Sequence, residues 1–475
     1  MFETPTARSS VADTRRLAAH DSVAPDLVGL GWLGEARAAL SGLAIAPVPA
    51  TVEAGELIDA IGVLESIKAA AAAAQARLSV AFDVAVRERQ AGLGIPAHRR
   101  GRGVAEQIAL ARRESPTRGS RHLGLAKALI LEMPNTWKGF ASGELSEWRS
   151  TLIVQATAVL SREDRETVDA ELAGQLAGLS DRQLAAAARG AAYRVDPMAV
   201  VNARAVAEGE RRVSLRPTPE AMSILTAYLP MAQGIAAYAA LERHVAAQRA
   251  AGDTRSRGQI AADTLVERLT GQATADAVNI EVGLVITDAA LLAASSEPAR
   301  IVGAGPLPAP AARALVRDTA GSVWVRRLLT SPVDGSVSEV ERRRRLFTGH
   351  LRRTLIHRDQ VCRTPWCGAP IRHLDHATAS HQDGATSLDN GQGLCERCNY
   401  TKENPGWTTT TNVRPDELAP DEWAPNRTTP NELDSVARVI QTPTGHRYRT
   451  APPPAIPGTH PAPTEARNQP RLVPA

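Results

Sequence analysis

Residues 374–403 read LDHATASHQDGATSLDNGQGLCERCNYTKE. This stretch ends on a Cys-x-x-Cys pair, Cys395 and Cys398, and a second pair, Cys362-x4-Cys367, lies just upstream. These four are all the cysteines of a 475-residue chain. A secreted disulfide framework spreads its cysteines and follows a signal peptide, whereas clustering in a reducing compartment favours a metal. Two pairs on two tight turns can set four thiolates at the corners of a tetrahedron. The 27 residues between the pairs are too few for a large apolar core, so bound metal would supply folding energy that packing does not. Zn²⁺ is the ion expected on Cys362, Cys367, Cys395 and Cys398; iron with the same ligands is the alternative.

The cysteines bracket a second group of polar residues. Asp375-His376 follows the short run PIRHL, and adjacent residues on a strand point to opposite faces. Such a pair can divide its work, one side chain taking a metal and the other a water. Asn390 precedes the Gly-rich turn, and Asn399 follows the last thiolate at the start of a short helix. Carboxylate and amide oxygens are hard ligands that suit Mg²⁺ or Mn²⁺. A neutral His beside such an ion can serve as a general base.

The pattern Cys-x4-Cys, Asp-His, Asp-Gly-x-Thr-Ser, Asn, Cys-x2-Cys-Asn-x-x-Lys resembles the HNH endonuclease family, a ββα-metal finger, over residues 355–407. The resemblance implies the following roles. His376 would activate water, and Asn390 would brace the loop that holds it. Asn399 and Asp375 would bind the catalytic cation. The reaction would leave 5′-phosphate and 3′-hydroxyl ends on DNA. Where the family often has a third His, this chain has Asn399. Asp383-Gly384-Ala385 replaces a frequent Gly-Gly, and Gly391 replaces a frequent apolar residue; both changes are expected to soften the loop.

Outward from the cysteines, residues 341–363 are dense in arginine. Arg342, Arg343, Arg344, Arg345, Arg352, Arg353 and Arg358 are expected to meet DNA phosphates, which give affinity without sequence information. The plain alternative is a solvated helix face. Beyond residue 411 the chain turns rich in Pro and Thr and reads as mostly disordered to 475, with one strand near DSVARVIQTPTGHRYRT.

Towards the N-terminus, residues 26–340 read as a mainly helical domain after a polar leader at 1–25. ELIDAIGVLESIKAAAAAAQARLSVAFDVAVRERQ carries apolar residues at helical spacing, and Gly92 and Gly94 close it. Helix starts are signalled at Ser115-Pro116, Ser161, Ser180-Asp181 and Thr218-Pro219-Glu220, and Pro134 is a stop. Alternation in AVNIEVGLVI predicts a strand, and SVWVRRLLT with SPVDGS predicts a hairpin at 322–338. Residues 104–128 have helix-turn-helix proportions, with Arg118 and Arg121 on the second helix. AKALILEMPNTWKGFASGELSEWRSTLIVQATAVLS resembles the 13E12-repeat family, also called domain of unknown function 222, whose members commonly precede an HNH module.

The expected fold class is therefore mainly α: a large helical region with a small β element, a zinc-stapled HNH module at 341–410, then the tail. The formal net charge of +4 is too small by itself to argue for nucleic acid. No apolar signal segment or 18-residue apolar run is present, so no membrane partner is expected and the cytoplasm is the expected compartment. Two classes compete, a Mg²⁺- or Mn²⁺-dependent DNA endonuclease and a zinc module that binds DNA or another partner without cutting. Asp375-His376 discriminates them.

Overall fold

The computed structural model describes residues 31–176, 178–218, 222–274, 284–292, 295–302, 305–318, 347–382, 384–411 and 437–455. The chain divides into two units, 1–65 and 66–475. In the first, α1 (Gly31–Ile45) has no buried residue. Helix α2 (Ala54–Gly92) begins there and continues into the second unit, where Ala69, Ala73, Val80 and Asp83 form a buried seam at spacings of four, seven and three residues.

The second unit opens with a helical core. It comprises α3 (Val104–Ala111), α4 (Pro116–Glu132), α5 (Pro134–Ala141), α6 (Glu147–Ala156), α7 (Arg162–Leu172), α8 (Asp181–Val195) and α9 (Pro197–Gly209). The caps follow the sequence. Ser115, Ser146, Ser161 and Ser180 each accept from a backbone N–H in the first turn, and Ser180 with Gln183 completes a capping box. Pro134 ends α4 and is also the first residue of α5. The N-terminus of α5 is tied to α7 by Asp169, which accepts from the N–H groups of Asn135 and Thr136 at 2.6 and 2.9 Å. The main apolar cluster gathers Met133, Leu145, Ile153, Val168, Leu172 and Leu184. Helices α3 and α4 cross closely at Gly119, where a Cβ would lie 2.2 Å from the Ala105 carbonyl oxygen.

After α9 the structure departs from the expected helix start at Thr218-Pro219-Glu220. Here β1 (Arg212–Pro217) pairs antiparallel with β2 (Ser223–Tyr228), Leu215 opposite Leu225. Val213 and Leu215 on one strand and Leu225 and Ala227 on the other share a face. This period-two pattern outweighs the Thr-Pro cap signal. Helices α10 (Met231–Ala250) and α11 (Arg257–Thr270) follow. A small sheet then places β4 (Ala299–Ile301) between β3 (Leu284–Val285) and β5 (Gly305–Leu307), with α12 (Asp288–Leu292) and α13 (Ala309–Asp318) alongside. The strand expected in AVNIEVGLVI is observed at Leu284–Val285; its earlier residues, the hairpin at 322–338, the leader at 1–25 and Arg342 to Arg345 lie outside the described residues.

The C-terminal module starts at α14 (Gly349–Asp359). Strands β6 (His373–His376) and β7 (Gly391–Leu394) pair antiparallel, and α15 (Glu396–Lys402) completes a ββα finger. The chain does not stop there. β8 (Thr408–Thr411), β9 (Arg438–Gln441) and β10 (Arg447–Thr450) form an antiparallel sheet with β9 central. The single strand expected near 434–450 is thus a hairpin, and it belongs to the module.

Candidate nuclease site and zinc cluster

Cys395 is the N-cap of α15, and its sulfur accepts from the Cys398 N–H at 3.4 Å. Cys362 and Cys367 flank the turn before β6, where the Cys362 N–H donates to the Ala369 carbonyl at 2.8 Å. The ligand atoms of all four cysteines lie within 4.8 Å of one another. Cys367 Sγ is 3.8 Å from Cys395 Sγ and 3.7 Å from Cys398 Sγ. A tetrahedron with metal–sulfur bonds of about 2.3 Å has edges of about 3.8 Å, whereas a disulfide needs about 2.05 Å. The sulfurs are thus arranged for a tetrahedral ion and not for disulfides. Hydrogen bonding among them, from Cys362 first, holds the Cys395 thiol far below the usual range and pushes Cys398 far above it. A divalent cation is what lets all four ionise together.

Register places Asp375 opposite Gln392 and His376 opposite Gly391, so the two neighbours face opposite sides of the hairpin. His376 is buried, its ring tilted by 48° against Phe347 with centroids 4.7 Å apart and its Nε2 2.8 Å from Thr386 Oγ1. Asp375 faces α15, where its Oδ2 sits 2.5 Å from Lys402 Nζ; the same ammonium donates to the His376 carbonyl at 2.7 Å. Asn399 lies one helical turn before Lys402, and its Oδ1 is buried and accepts no hydrogen bond among the described residues. A buried amide oxygen without a donor is costly, and a hard cation is the partner it suits. The donor set of Asp375 and Asn399 therefore fits the ion expected of it.

Asn390 is a loop brace in every contact it makes. Its Oδ1 accepts from the Thr378 N–H at 2.8 Å, and its Nδ2 donates to the carbonyls of Thr378 and Ala385 at 3.0 and 2.8 Å. Its own carbonyl accepts from the Ala377 N–H at 2.7 Å. The expected softening of this loop is not what the packing shows. A Cβ on Gly384 would lie 1.8 Å from the Thr378 carbonyl oxygen. One on Gly391 would lie 2.7 Å from Phe347 Cε1 and 2.8 Å from Leu355 Cδ1. Both glycines admit close packing and tighten the loop.

The arginines separate into two groups. Arg352 and Arg353 are exposed on α14, as phosphate contact would require. Arg358 is only 1% exposed and belongs to the interior. It forks onto the fully buried Asp359 at 2.7 and 3.0 Å and donates to the carbonyls of Leu388 and Gly391. That geometry removes Arg358 from the set expected to meet DNA. Sequence reading counted it with its neighbours because a charge run carries no mark of which member turns inward. The one acid beside it, Asp359, was the available signal: it also takes Arg363 at 3.1 Å and the Gly393 N–H at 2.6 Å.

Phe347, Thr386 and Lys402 have no role assigned from the sequence, although the last two stand in the quoted motif. Nor has Arg397, which reaches from α15 to Glu106 of α3 at 2.7 Å and to Ser120 of α4 at 2.5 Å. Helices α3 and α4 thus dock on the helix that carries Cys398 and Asn399. Arg118 and Arg121 remain exposed on α4.

No curated protein and no solved structure matches the chain. Two family descriptions do: "Domain of unknown function (DUF222)" over residues 66–359, and "HNH endonuclease" over residues 360–405. The second covers the cysteines, the Asp-His pair and both asparagines. The first covers more than half of the sequence and stops where the second begins. The chain belongs to the DUF222 family and carries an HNH endonuclease domain behind its helical region.

Proposed function

We propose that the protein is a metal-dependent endonuclease that hydrolyses DNA phosphodiester bonds. The carrying observation is the Asn399 Oδ1, buried and without a donor, one turn from the lysine that grips Asp375 beside His376. His376 takes the proton of the attacking water as general base, its ring held by Phe347 and Thr386. Asp375 and Asn399 would hold a Mg²⁺ or Mn²⁺ ion, which would supply charge neutralisation at the phosphoryl group and the leaving 3′ oxygen. Lys402 sets the orientation of Asp375 through Oδ2. Asn390 keeps the loop closed. Zn²⁺ on Cys362, Cys367, Cys395 and Cys398 holds the finger together and takes no part in bond cleavage. Arg352 and Arg353, with Arg342 to Arg345, meet backbone phosphates. The products are 5′-phosphate and 3′-hydroxyl ends, as in the family the motif resembles.

One observation favours the non-cutting alternative: Lys402 already neutralises Asp375, as a site without a divalent ion would require. Conversion of supercoiled plasmid to nicked circle decides between them. The endonuclease reading expects nicking with Mg²⁺ or Mn²⁺ and none in EDTA. It also expects a loss of about 10² to 10⁴-fold in His376→Ala. Intact plasmid under every metal condition tried would favour the binding module.

A further inference from the structure

The HNH match ends at residue 405, yet the segment 437–455 is packed into the module. Arg438 opens β9, the central strand of its sheet, and is fully buried. Its guanidinium donates to the Asp389 carbonyl, to the Gly391 carbonyl at 3.3 Å and to the Ala437 carbonyl at 3.1 Å. Asp389 and Gly391 are the residues on either side of Asn390. Arg358 approaches the same loop from α14, bonding Leu388 and Gly391 at 2.6 and 2.7 Å. Two buried guanidinium groups thus grip the carbonyls of Leu388, Asp389 and Gly391.

From the structure we infer that Arg438 is a positioning residue of the nuclease site, a role that rests on the endonuclease reading above. It acts through the loop and touches no reacting atom. Gly391 is the register partner of His376, Asn390 accepts from the Ala377 N–H, and Thr386 within the loop contacts His376 Nε2. Fixing residues 389–391 therefore fixes the strand end and the ring of the base. The same hairpin is anchored from several sides. Arg363 donates to the Thr450 carbonyl at 3.2 Å, Gln360 to Pro454 at 2.9 Å, and Thr444 to Gln107 Oε1 of α3 at 2.9 Å.

An arginine here is expensive, which is why its presence is informative. Arg358 and Arg363 pair directly with the buried carboxylate of Asp359, and Arg438 lies near enough to feel its charge. Burial first, then the neighbouring Arg358 and Arg363, lowers the Arg438 pKa to about 9. A neutral apolar side chain would avoid that cost but would leave loop carbonyls without donors.

The test uses full-length protein with Arg438→Gln and Arg438→Lys. Steady-state nicking of plasmid in Mn²⁺ gives kcat and KM, elemental analysis gives zinc per chain, and amide hydrogen exchange follows residues 377–391. Misplacing a catalytic group by about 1 Å costs about 10²-fold. The expected result is a kcat loss of that order in Arg438→Gln with KM and zinc unchanged, and partial recovery in Arg438→Lys. Faster exchange confined to 377–391 is expected alongside. Wild-type kcat in Arg438→Gln, or a loss that appears in KM alone, would overturn the role. If Arg438→Gln does not fold, Arg438→Lys is judged by the same kcat-against-KM criterion. If wild-type protein nicks nothing, the endonuclease reading fails, and exchange alone then judges the clamp. Unchanged protection at 377–391 in both variants would refute it.

Discussion

Leu184 in the helical core is surrounded by Ile153, Val168, Leu172 and Ala188, all apolar and buried. Asp359 in the C-terminal module is equally buried, but its neighbours are two arginines and a backbone N–H. The same contrast runs through both regions. Helices α4, α6, α7 and α8 bury leucine, isoleucine, valine or alanine, and a serine caps the start of each. Around β6, β7 and α15, among the described residues, the buried apolar cluster is Leu394 with the cysteine sulfurs. The helical core is stabilised by water leaving apolar surface. The module has a four-cysteine cluster suited to ion coordination and buried charge held in ion pairs and hydrogen bonds. Two kinds of stability in one chain should respond to different insults, and this can be tested at graded strength.

The largest effect is expected from removing the zinc ligands. Cys395→Ser, or prolonged chelation, should abolish exchange protection in β6, β7 and α15 while α5 to α8 stay protected. Structural zinc contributes about 10–16 kcal/mol of apparent binding energy in small zinc modules. Exchange protection in β6 and β7 that survives a confirmed loss of zinc would erase the contrast. The converse insult is Leu184→Ala, a cavity in the helical core. It should cost about 2–5 kcal/mol in denaturant unfolding of the helices. Zinc content should not change, and loss of zinc in this variant would show that the regions share one stability.

A smaller effect is expected where the module does pack tightly. Gly391→Ala places a methyl group against Phe347 and Leu355 and should cost about 1–3 kcal/mol of stability by overpacking. Nicking should fall as well, because Gly391 pairs with His376. A variant as stable and active as wild type would mean that the α14 side of the loop is slack.

The smallest effect concerns pH in the helical region. His122 bridges Glu114 and Glu147 at 2.8 Å each, and its hydrogen bond holds the Glu147 carboxyl below the usual value of 4.5. A carboxylate depressed in the folded state adds stability above its unfolded pKa and loses it as pH falls through the folded value. Glu147→Gln should therefore shallow the acid limb of the stability–pH curve below about pH 5. It should leave the module's exchange pattern untouched. Glu147 is partly exposed, so solvent screening keeps the change small. An acid limb identical to wild type would show that the bridge does not contribute.

The two regions also differed in how legible they were. Serine caps, Pro134 and the apolar period placed most helices of the core, because these signals are local. The Thr218-Pro219 cap failed because cross-strand pairing between Arg212–Pro217 and Ser223–Tyr228 is non-local. In the module, the cysteine cluster was readable because metal ligands must be of few residue types, and the Asp-His pair, expected at a strand end, closes β6. The supports were not readable. Arg358 was hidden inside a charge run, Arg438 sits 47 residues from the Gly391 carbonyl it bonds, and Arg397 finds Glu106 across 291 residues. Gly391 was misread because its value lies in the space it leaves for Phe347.

The measurement that tests the central claim most directly is the Mn²⁺ dependence of plasmid nicking by wild type, His376→Ala, Asp375→Ala and Asn399→Ala at equal zinc content. With His376 as base and the other two as ligands, Asp375→Ala and Asn399→Ala should recover part of their rate at high Mn²⁺, Asp375→Ala less completely because it loses the charged ligand. His376→Ala should stay about 10² to 10⁴-fold down at every Mn²⁺ concentration. Wild-type nicking by His376→Ala, or its rescue by Mn²⁺ alongside the ligand variants, would contradict the assignment of this site.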